Sequence, residues 1–564
     1  MIRGQPNRVL NRLTLVLTAC LLAFGVSHGV SAAPAGQAEA AVEEIQRQIA
    51  QVRGLEVRAA TPVVTLPRAA LAERLSRAVN DPESVREFLT SQMLLEVLGA
   101  MPRGFDLREM QLRLLAEQTV AVYDFESRSI YLVADHAGGE LGADARLVVA
   151  HELTHALQDQ HFNLKRVLPS DPENSDAAAA ARALVEGDAM LTMRIWGRQF
   201  LRPNEKRALG DDAMAADPVL DSAPPLVRGE LLFPYDAGWV FAQLLYQDGG
   251  YAALDRAFAR PPRSTEQILH PEKYAAGEAP IRVEMPPLER GLGGSWVTRR
   301  TDVFGELVLR LLLEPDVGWP TAEAAAAGWG GDAYTILEDD AGRRVVAMVT
   351  VWDTEGDAAE MYNAIVRSVP AHYKGNQVRS IALPSVARWT IPEYQLQALK
   401  TDNVVRIIFA PDDLTLNRVE VQLGGSPISP SGPVVPQPPL PAASPSALPS
   451  ELSPDATPAL PTLPPAPGME PNRFGTPVTP APGVAPNGQP QEDQQDQPPG
   501  APGQDFPPAP ALPPAQPMQP SGGAAPAIEA APATDTQSAP TPPTIQPMPW
   551  ATPRPTEETA PPDE

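Results

Sequence analysis

Apolar positions in the first third of the chain recur at helical spacing. In "EAAVEEIQRQIAQVRGL" Ala41, Ile45, Ile49 and Val52 share one stripe, which predicts an amphipathic helix. Helices are likewise expected at "RAALAERLSRAVN", at "DPESVREFLTSQMLLEVLGAM" with Asp81-Pro82 at its start, and at "DLREMQLRLLAEQ". The period then changes from 3.6 to 2. "TVAVYDFESRSIYLVAD" alternates around a polar turn at Glu126, Ser127 and Arg128, and Val120, Val122, Ile130 and Leu132 are strand formers. A β-hairpin from Thr119 to Ala134 follows.

Beyond the loop "DHAGGELGAD" the helical period returns in "VVAHELTHALQDQHFNL". This helix is expected to be capped near Asp144 and to run to about Gln160. A long alanine-rich helix should begin near Asp176 and continue through "AAAAARALVEGDAMLTMRIWGRQF". The next segment, up to "STEQILHPEKY", is mostly helical with Gly-Gly and Pro-Pro breaks. From about Ile281 the texture is α+β. Helices are expected at "TDVFGELVLRLLLE", Ala322 to Ala327 and "GDAAEMYNAIVRS", strands at "RRVVAMVTVWD" and "NVVRIIFAP", and a turn at "GWGGDAY".

Composition divides the chain further. Its 67 prolines crowd into the last quarter. From Gly424 to Glu564 there is no helical or strand period and too little apolar surface to offset ordering entropy, so a disordered tail is expected. At the other end, Arg3, Arg8 and Arg12 precede the apolar run "LTLVLTACLLAFGV" and the small residues "VSAAPA". That is the layout of a signal peptide, residues 1–33, rather than of a membrane anchor. "LTAC" resembles a bacterial lipoprotein box, but the apolar run continues past Cys20, so cleavage near Ala32 or Ala33 is favoured over lipid anchoring at Cys20. No other run is long enough to span a bilayer. The expected organisation is therefore a signal peptide (1–33), a first domain (40–280), a smaller α+β domain (281–423) and the tail (424–564). The overall class is α+β.

Charge and cysteine content exclude several functions. A formal net charge of −25 argues against nucleic-acid binding, which needs a basic face. Cys20 is the one cysteine. The mature chain would have no cysteine nucleophile, disulfide or cysteine metal ligand. No Gly-x-Ser-x-Gly is present, and neither "GLGGSWV" nor "GWGGDAY" continues as a phosphate loop.

"HELTH", His151 to His155, carries the chemistry. Residues four apart share a helix face, so both imidazoles can reach one ion. Glu152 can serve as general base to a metal-activated water without being a ligand. With 7 histidines in the chain, a chance match is expected on the order of once per hundred or more such sequences. The bland alternative is a pair of solvated or core histidines. A catalytic zinc takes a third protein ligand and keeps one position open. Glu186, in "ALVEGDAML" with 30 residues between it and His155, is the candidate. A carboxylate among Ala183, Leu184, Val185 and Ala189 needs a neutralising partner if buried. A glutamate on the wet face of that helix is the alternative. Asp188, about 200° further round the helix, is a weaker ligand and a candidate partner for an imidazole. His161 falls on the opposed face and is read as structural. His136 and His372 have no motif support.

"HELTH" with a following helical glutamate resembles the gluzincin branch of the zincin metallopeptidases. "HELTHALQDQHF", "ALVEGDA" and "PPRSTEQILHPEKY" together resemble a group of uncharacterised exported bacterial proteins of metallopeptidase type. The resemblance covers about Ala40 to Tyr274. It implies a zincin-like, mostly helical domain whose edge strand lies above the metal and pairs with substrate backbone. It also implies Zn2+ on His151, His155 and Glu186, and Glu152 as general base. Two departures stand out: a longer gap before Glu186, and Met190 where an acidic residue often lies four positions after the third ligand. The resemblance does not identify the oxyanion donor. His270 and Tyr235 are candidates, each with a structural alternative.

The expected function is thus a secreted zinc endopeptidase acting on peptide or protein substrates. It would be extracytoplasmic, in the bacterial cell envelope, with no transmembrane span after signal cleavage and with the proline-rich tail as a candidate for envelope contacts. The rival is an exported binding or scaffold protein on an inactive zincin fold. Glu152 argues against it, because a non-catalytic scaffold has no need of that residue. A purely structural zinc site would fill its fourth position with protein, and no cysteine is available to do so.

Overall fold

The computed structural model describes residues 36–134, 141–169, 171, 173–209, 218–374 and 378–424. The targeting segment with Cys20, His136 and the tail beyond Gly424 lie outside the described residues. Among these, no helix is long and apolar enough to cross a membrane.

The class is mixed α+β. Helix α1 (Gly36–Arg53) leads to strand β1 (Val63–Leu66), then α2 (Arg68–Val79), α3 (Pro82–Val97) and α4 (Leu107–Gln118). Asp81 and Asp106 cap α3 and α4 by accepting backbone N–H bonds from Ser84 and Glu109, as their sequence positions predict. The expected hairpin is present as β2 (Ala121–Asp124) and β3 (Ser129–Val133), antiparallel with Tyr123 opposite Ile130. The sequence reading omits β1. It pairs parallel to β3, giving a three-stranded sheet of order β1-β3-β2. β1 is four residues long, too short for its period to register. β2 is left at the edge.

The expected helix of the histidine motif is α5 (Ala143–Phe162). Its N-cap is Gly142, with no side-chain cap bond, and Asp144 lies in the first turn, so the cap expected at Asp144 is not formed. The alanine-rich helix is α6 (Ser175–Phe200), capped by the Asn174 side chain on Ala177 N–H. Helix α7 (Pro225–Ala259) breaks at the Gly-Gly pair, where Gly250 has φ 60°.

α6 and α7 cross backbone to backbone. A Cβ on Gly187 would lie 2.0 Å from the Gly238 carbonyl oxygen, and one on Gly238 would lie 2.2 Å from that of Ala183. No other residue type fits either position. A core of α1, α4, α5, α6, α7 and the small sheet surrounds this crossing, from Val42 to Tyr274, and also takes in Leu307 and Leu311.

The second part of the chain is a seven-stranded antiparallel sheet of order β4-β5-β6-β10-β9-β8-β7. Its strands are β4 (Val297–Asp302), β5 (Trp329–Glu338), β6 (Arg344–Trp352), β7 (Val378–Ala382), β8 (Val386–Ile391), β9 (Tyr394–Thr401) and β10 (Val404–Ala410). Helices α8 (Gly305–Val317), α9 (Trp319–Ala326) and α10 (Glu355–Tyr373) cover one face, and α11 (Asp413–Gly424) packs on the other. The expected helices, β6 and β10 are found.

"GWGGDAY" corrects the turn assigned there. Only Gly328, with φ 77°, is in a turn; Trp329 to Tyr334 lie in β5, which is buried from Trp329 to Leu337. Gly330 and Gly331 serve close approach rather than a turn. A Cβ on Gly331 would meet the Ile281 carbonyl oxygen at 2.1 Å, and Ile281 N–H donates to the Gly330 carbonyl at 2.7 Å.

The α6–α7 crossing yields a stability prediction. Gly187→Ala should lower unfolding free energy by about 1–3 kcal/mol or more, since backbone has no rotamer with which to make room. Urea denaturation of the full chain measures it, and a change within about 0.5 kcal/mol would contradict the close approach.

Candidate metal centre

Helix α5 is surrounded by protein, and every residue from Leu147 to Asp159 is buried. A helix buried all round has no wet face on which to place polar side chains. Its histidines and carboxylates must therefore find partners inside the fold.

His151 and His155 project from one face of α5 toward Glu186 on α6. His151 Nε2 and Glu186 Oε2 are 3.1 Å apart, His155 Nε2 and Glu186 Oε2 3.5 Å, and the two Nε2 atoms 3.0 Å. A tetrahedral zinc with bonds of about 2.0–2.1 Å sets its donors about 3.3–3.4 Å apart. The triangle is thus close to one face of such a site, and the donor set of two imidazoles and a carboxylate suits zinc.

The tautomer of His155 agrees with that role. Gln158 Nε2 donates to the Val185 carbonyl and to Asp188 Oδ2, both at 2.9 Å. Its Oε1 must therefore face His155 Nδ1, at 2.8 Å. Nδ1 therefore carries a proton, and Nε2 is the nitrogen that faces Glu186 and His151. Such outer partners fix ring orientation and raise ligand basicity.

The acceptor from Gln158 is itself paired. Arg53 Nε donates to Asp188 Oδ2 at 3.0 Å, and both side chains are fully buried. Arg53 Nη2 reaches Asp255 at 2.8 Å. Asp188 therefore supports an imidazole through Gln158 rather than by direct contact. His151 Nδ1 is buried without a hydrogen-bond partner among the described residues, so the outer support of the two histidines is unequal.

Electrostatics couple the three groups of the cluster to one another. Burial alone would raise Glu186, but His155 and His151 pull it down to about 2. Burial would lower His155, yet the Glu186 carboxylate outweighs it and raises the imidazolium to about 9. Burial lowers His151. The His155 imidazolium and the Glu186 carboxylate stabilise each other's charged forms, and a cation held by the same donors would take the place of the imidazolium proton.

Glu152 lies beside this triangle without joining it. Burial pushes its carboxyl up to about 7, against the pull of His155 and of a backbone N–H. That N–H belongs to Tyr123 in β2 and donates to Glu152 Oε2 at 2.7 Å. The edge strand of the small sheet therefore orients the carboxylate and leaves Oε1 free of that bond.

Of the other expected site residues, Tyr235 is brought to the cluster. It is buried, with its ring centroid 6.4 Å from that of His151. His270 is not brought there. Its Nε2 lies 2.9 Å from Glu306 Oε1 at the start of α8, and its Nδ1 faces Glu272. His161 contacts the Glu56 carbonyl at 2.8 Å, a structural role as expected. Gln158 and Arg53 are absent from the sequence reading. The signal for Gln158 was its spacing of seven from His151 and three from His155; Arg53 has no local signal, since its partners are 135 and 202 residues away.

A second acidic group, Glu266, Glu278 and Asp353, has similar ligand spacing. Lys273 Nζ already lies among them, at 2.7, 3.1 and 2.6 Å. That ammonium supplies the cation, so the group is an ion-pair cluster.

The family described as a domain of unknown function, DUF8575, matches residues 295–420, which is the seven-stranded sheet and its helices. No curated protein and no solved structure matches the chain.

The Gln158 bond predicts a change in metal affinity. Gln158→Leu should weaken zinc binding about 10–100-fold, read by competition with a chromogenic chelator. An unchanged affinity would remove Gln158 from the site.

Proposed function

We propose that this protein is a zinc-dependent peptide hydrolase of zincin, gluzincin-like type. The observation that carries the proposal is the triangle of His151, His155 and Glu186 donors, 3.0–3.5 Å apart, with Glu152 beside it. The set suits the chemistry of a hydrolytic zinc: three candidate protein ligands, an imidazole whose Nε2 faces the other two donors, and a carboxylate that stands outside the triangle.

Bound by His151, His155 and Glu186, zinc would supply Lewis acidity toward a peptide carbonyl and acidify a water. Glu152 takes the proton of the attacking water on the oxygen not occupied by Tyr123 N–H, and returns it to the departing amine. Its raised pKa suits a group that must both accept and release a proton near neutrality. Gln158 and Asp188 hold His155 in register while charge develops beside it. Tyr235 is the nearer of the two candidates for the oxyanion donor, since His270 is engaged by Glu306. The expected setting is extracytoplasmic, from the arginine-flanked apolar N-terminus.

One observation favours the second reading, an exported binding protein on an inactive scaffold. His151, Glu152, His155 and Glu186 are each no more than 4% exposed. A protease acting on folded proteins needs a wider approach. The depth suits a substrate presented as a short or unfolded segment.

Metal content and peptide hydrolysis of the full chain separate the readings. Wild type should hold about one zinc per chain and cleave members of a mixed peptide library. Glu152→Gln should retain the metal and lose about 10²–10⁴-fold in rate. Stoichiometric zinc with no cleavage of any peptide would favour the binding protein, and absence of metal from wild type would sink the site itself.

A further inference from the structure

A cavity of about 280 Å³ lies between α3, α4, the N-terminal half of α6, α7 and β4. Its walls mix leucine, methionine and phenylalanine with a comparable number of polar and charged residues. Two of these are donors without an acceptor. Gln111, on α4, is 2% exposed, and its Nε2 has no partner among the described residues. Arg182, on α6, makes no hydrogen bond or ion pair among the described residues, and its Nε is buried. A buried carboxamide or guanidinium left in that state is costly, which makes both groups functional candidates.

The acidic groups on the same wall are engaged or wet. Asp302 accepts from Ser175 N–H at 2.7 Å, and Asp176 accepts from Thr265 N–H at 3.1 Å. Glu230 lines the cavity with part of its surface open to solvent, and desolvation pushes its carboxyl up to about 7 against the pull of Arg182. Arg300 is paired with Glu87. Although three carboxylates line the cavity, neither Gln111 Nε2 nor Arg182 Nε has an acceptor among the described residues, and Arg182 is the charged one of these two donors.

Arg182 also connects this cavity to the metal centre. It precedes Glu186 by four residues, one helical turn or about 6 Å along α6 and on the same face. Glu186 and Tyr235 act on its charge through space, as does Glu230. A divalent cation on Glu186 would cancel that carboxylate's field and leave the guanidinium less compensated.

We propose that this cavity is a specificity subsite in which Arg182, assisted by Gln111, binds a carboxylate of the substrate within a residue or two of the scissile bond. This rests on the peptidase reading above. Two sources share the chemistry: an acidic side chain, or the C-terminal carboxylate of a short peptide. A carboxylate accepts from a guanidinium and from an amide N–H at once, and the apolar walls strengthen both bonds by excluding water.

The test measures binding and cleavage separately. Fluorescent peptides are prepared in two pairs. One pair carries Glu or Gln at a single internal position with an amidated C-terminus. The other has only Gln, with a free or amidated C-terminus. Their affinities for the zinc-loaded full chain carrying Glu152→Gln are read by anisotropy. The carboxylate-bearing member of at least one pair should bind roughly tenfold tighter or more, and the pair that shows it identifies the source. Arg182→Met in that background should reduce the ratio to about one. Gln111→Leu should reduce it about threefold or more, and it serves if the arginine variant fails to fold. Equal affinities within both pairs, or a preference that survives either substitution undiminished in a folded protein, would overturn the subsite. Cleavage by the chain with Glu152 intact decides the other question. A carboxylate preference without cleavage would defeat the peptidase reading alone, and cleavage without the preference would defeat the subsite alone.

Discussion

The contact on which the rest depends is the crossing of α6 and α7 at Gly187 and Gly238. Side chains beside a backbone-to-backbone crossing have little freedom, because the helices cannot rotate without collision. Glu186 and Asp188 flank Gly187 on α6, and Tyr235 precedes Gly238 by three residues on α7. The crossing thus sets the depth of Glu186, of the carboxylate behind Gln158 and of the tyrosine beside His151. A glycine inside a helix costs about 1 kcal/mol relative to alanine. Two facing each other imply that the close approach repays this.

From that crossing, a line of buried charge runs outward. Glu186 faces two imidazoles, Gln158 passes the polarity of His155 to Asp188, and Arg53 neutralises Asp188 while reaching Asp255. Ions this deep persist only when each has a partner. Arg53 meets that condition for Asp188, and its guanidinium also lies over the Tyr251 ring, 4.6 Å from its centroid. The Glu186 carboxylate meets it with His155, whose imidazolium it stabilises, and with His151. Helix α1, remote in sequence, thereby takes part in orienting a histidine on α5.

The sequence made much of the centre legible. The i, i+4 spacing places His151 and His155 together, and apolar neighbours on all sides of Glu186 signal burial. The hairpin was legible because its period changes sharply at Thr119 and its turn is polar. Three things were not. β1 is four residues long, and its partner β3 lies about 65 positions on. "GWGGDAY" has the composition of a turn, but its glycines make room for the Ile281 backbone, and nothing local reveals a crossing chain. His270 stands in a motif-like stretch, yet its ring is taken by Glu306, a tertiary choice no local pattern encodes. In each case the missing information was a contact distant in sequence.

The seven-stranded sheet is also tied to the centre, at the start of α6. Asp302 of β4 accepts from the Ser175 backbone, Asp176 accepts from Thr265, and Thr265 Oγ1 in turn accepts from Leu307 N–H of α8 at 3.2 Å. Asp332 of β5 holds the Phe304 and Gly305 amides at 2.9 and 2.8 Å. These bonds clamp the N-terminus of the helix that carries Arg182 and Glu186 to the part of the chain matched by the domain of unknown function. A helix fixed at its first turn by β4 and at its middle by Gly238 has two anchors about twelve residues, or about 18 Å, apart. Arg182 and Glu186 both lie between or beside those anchors. The sheet therefore belongs to the architecture of the centre as much as α5 does, through the rigidity it lends to α6 rather than through any ligand of its own.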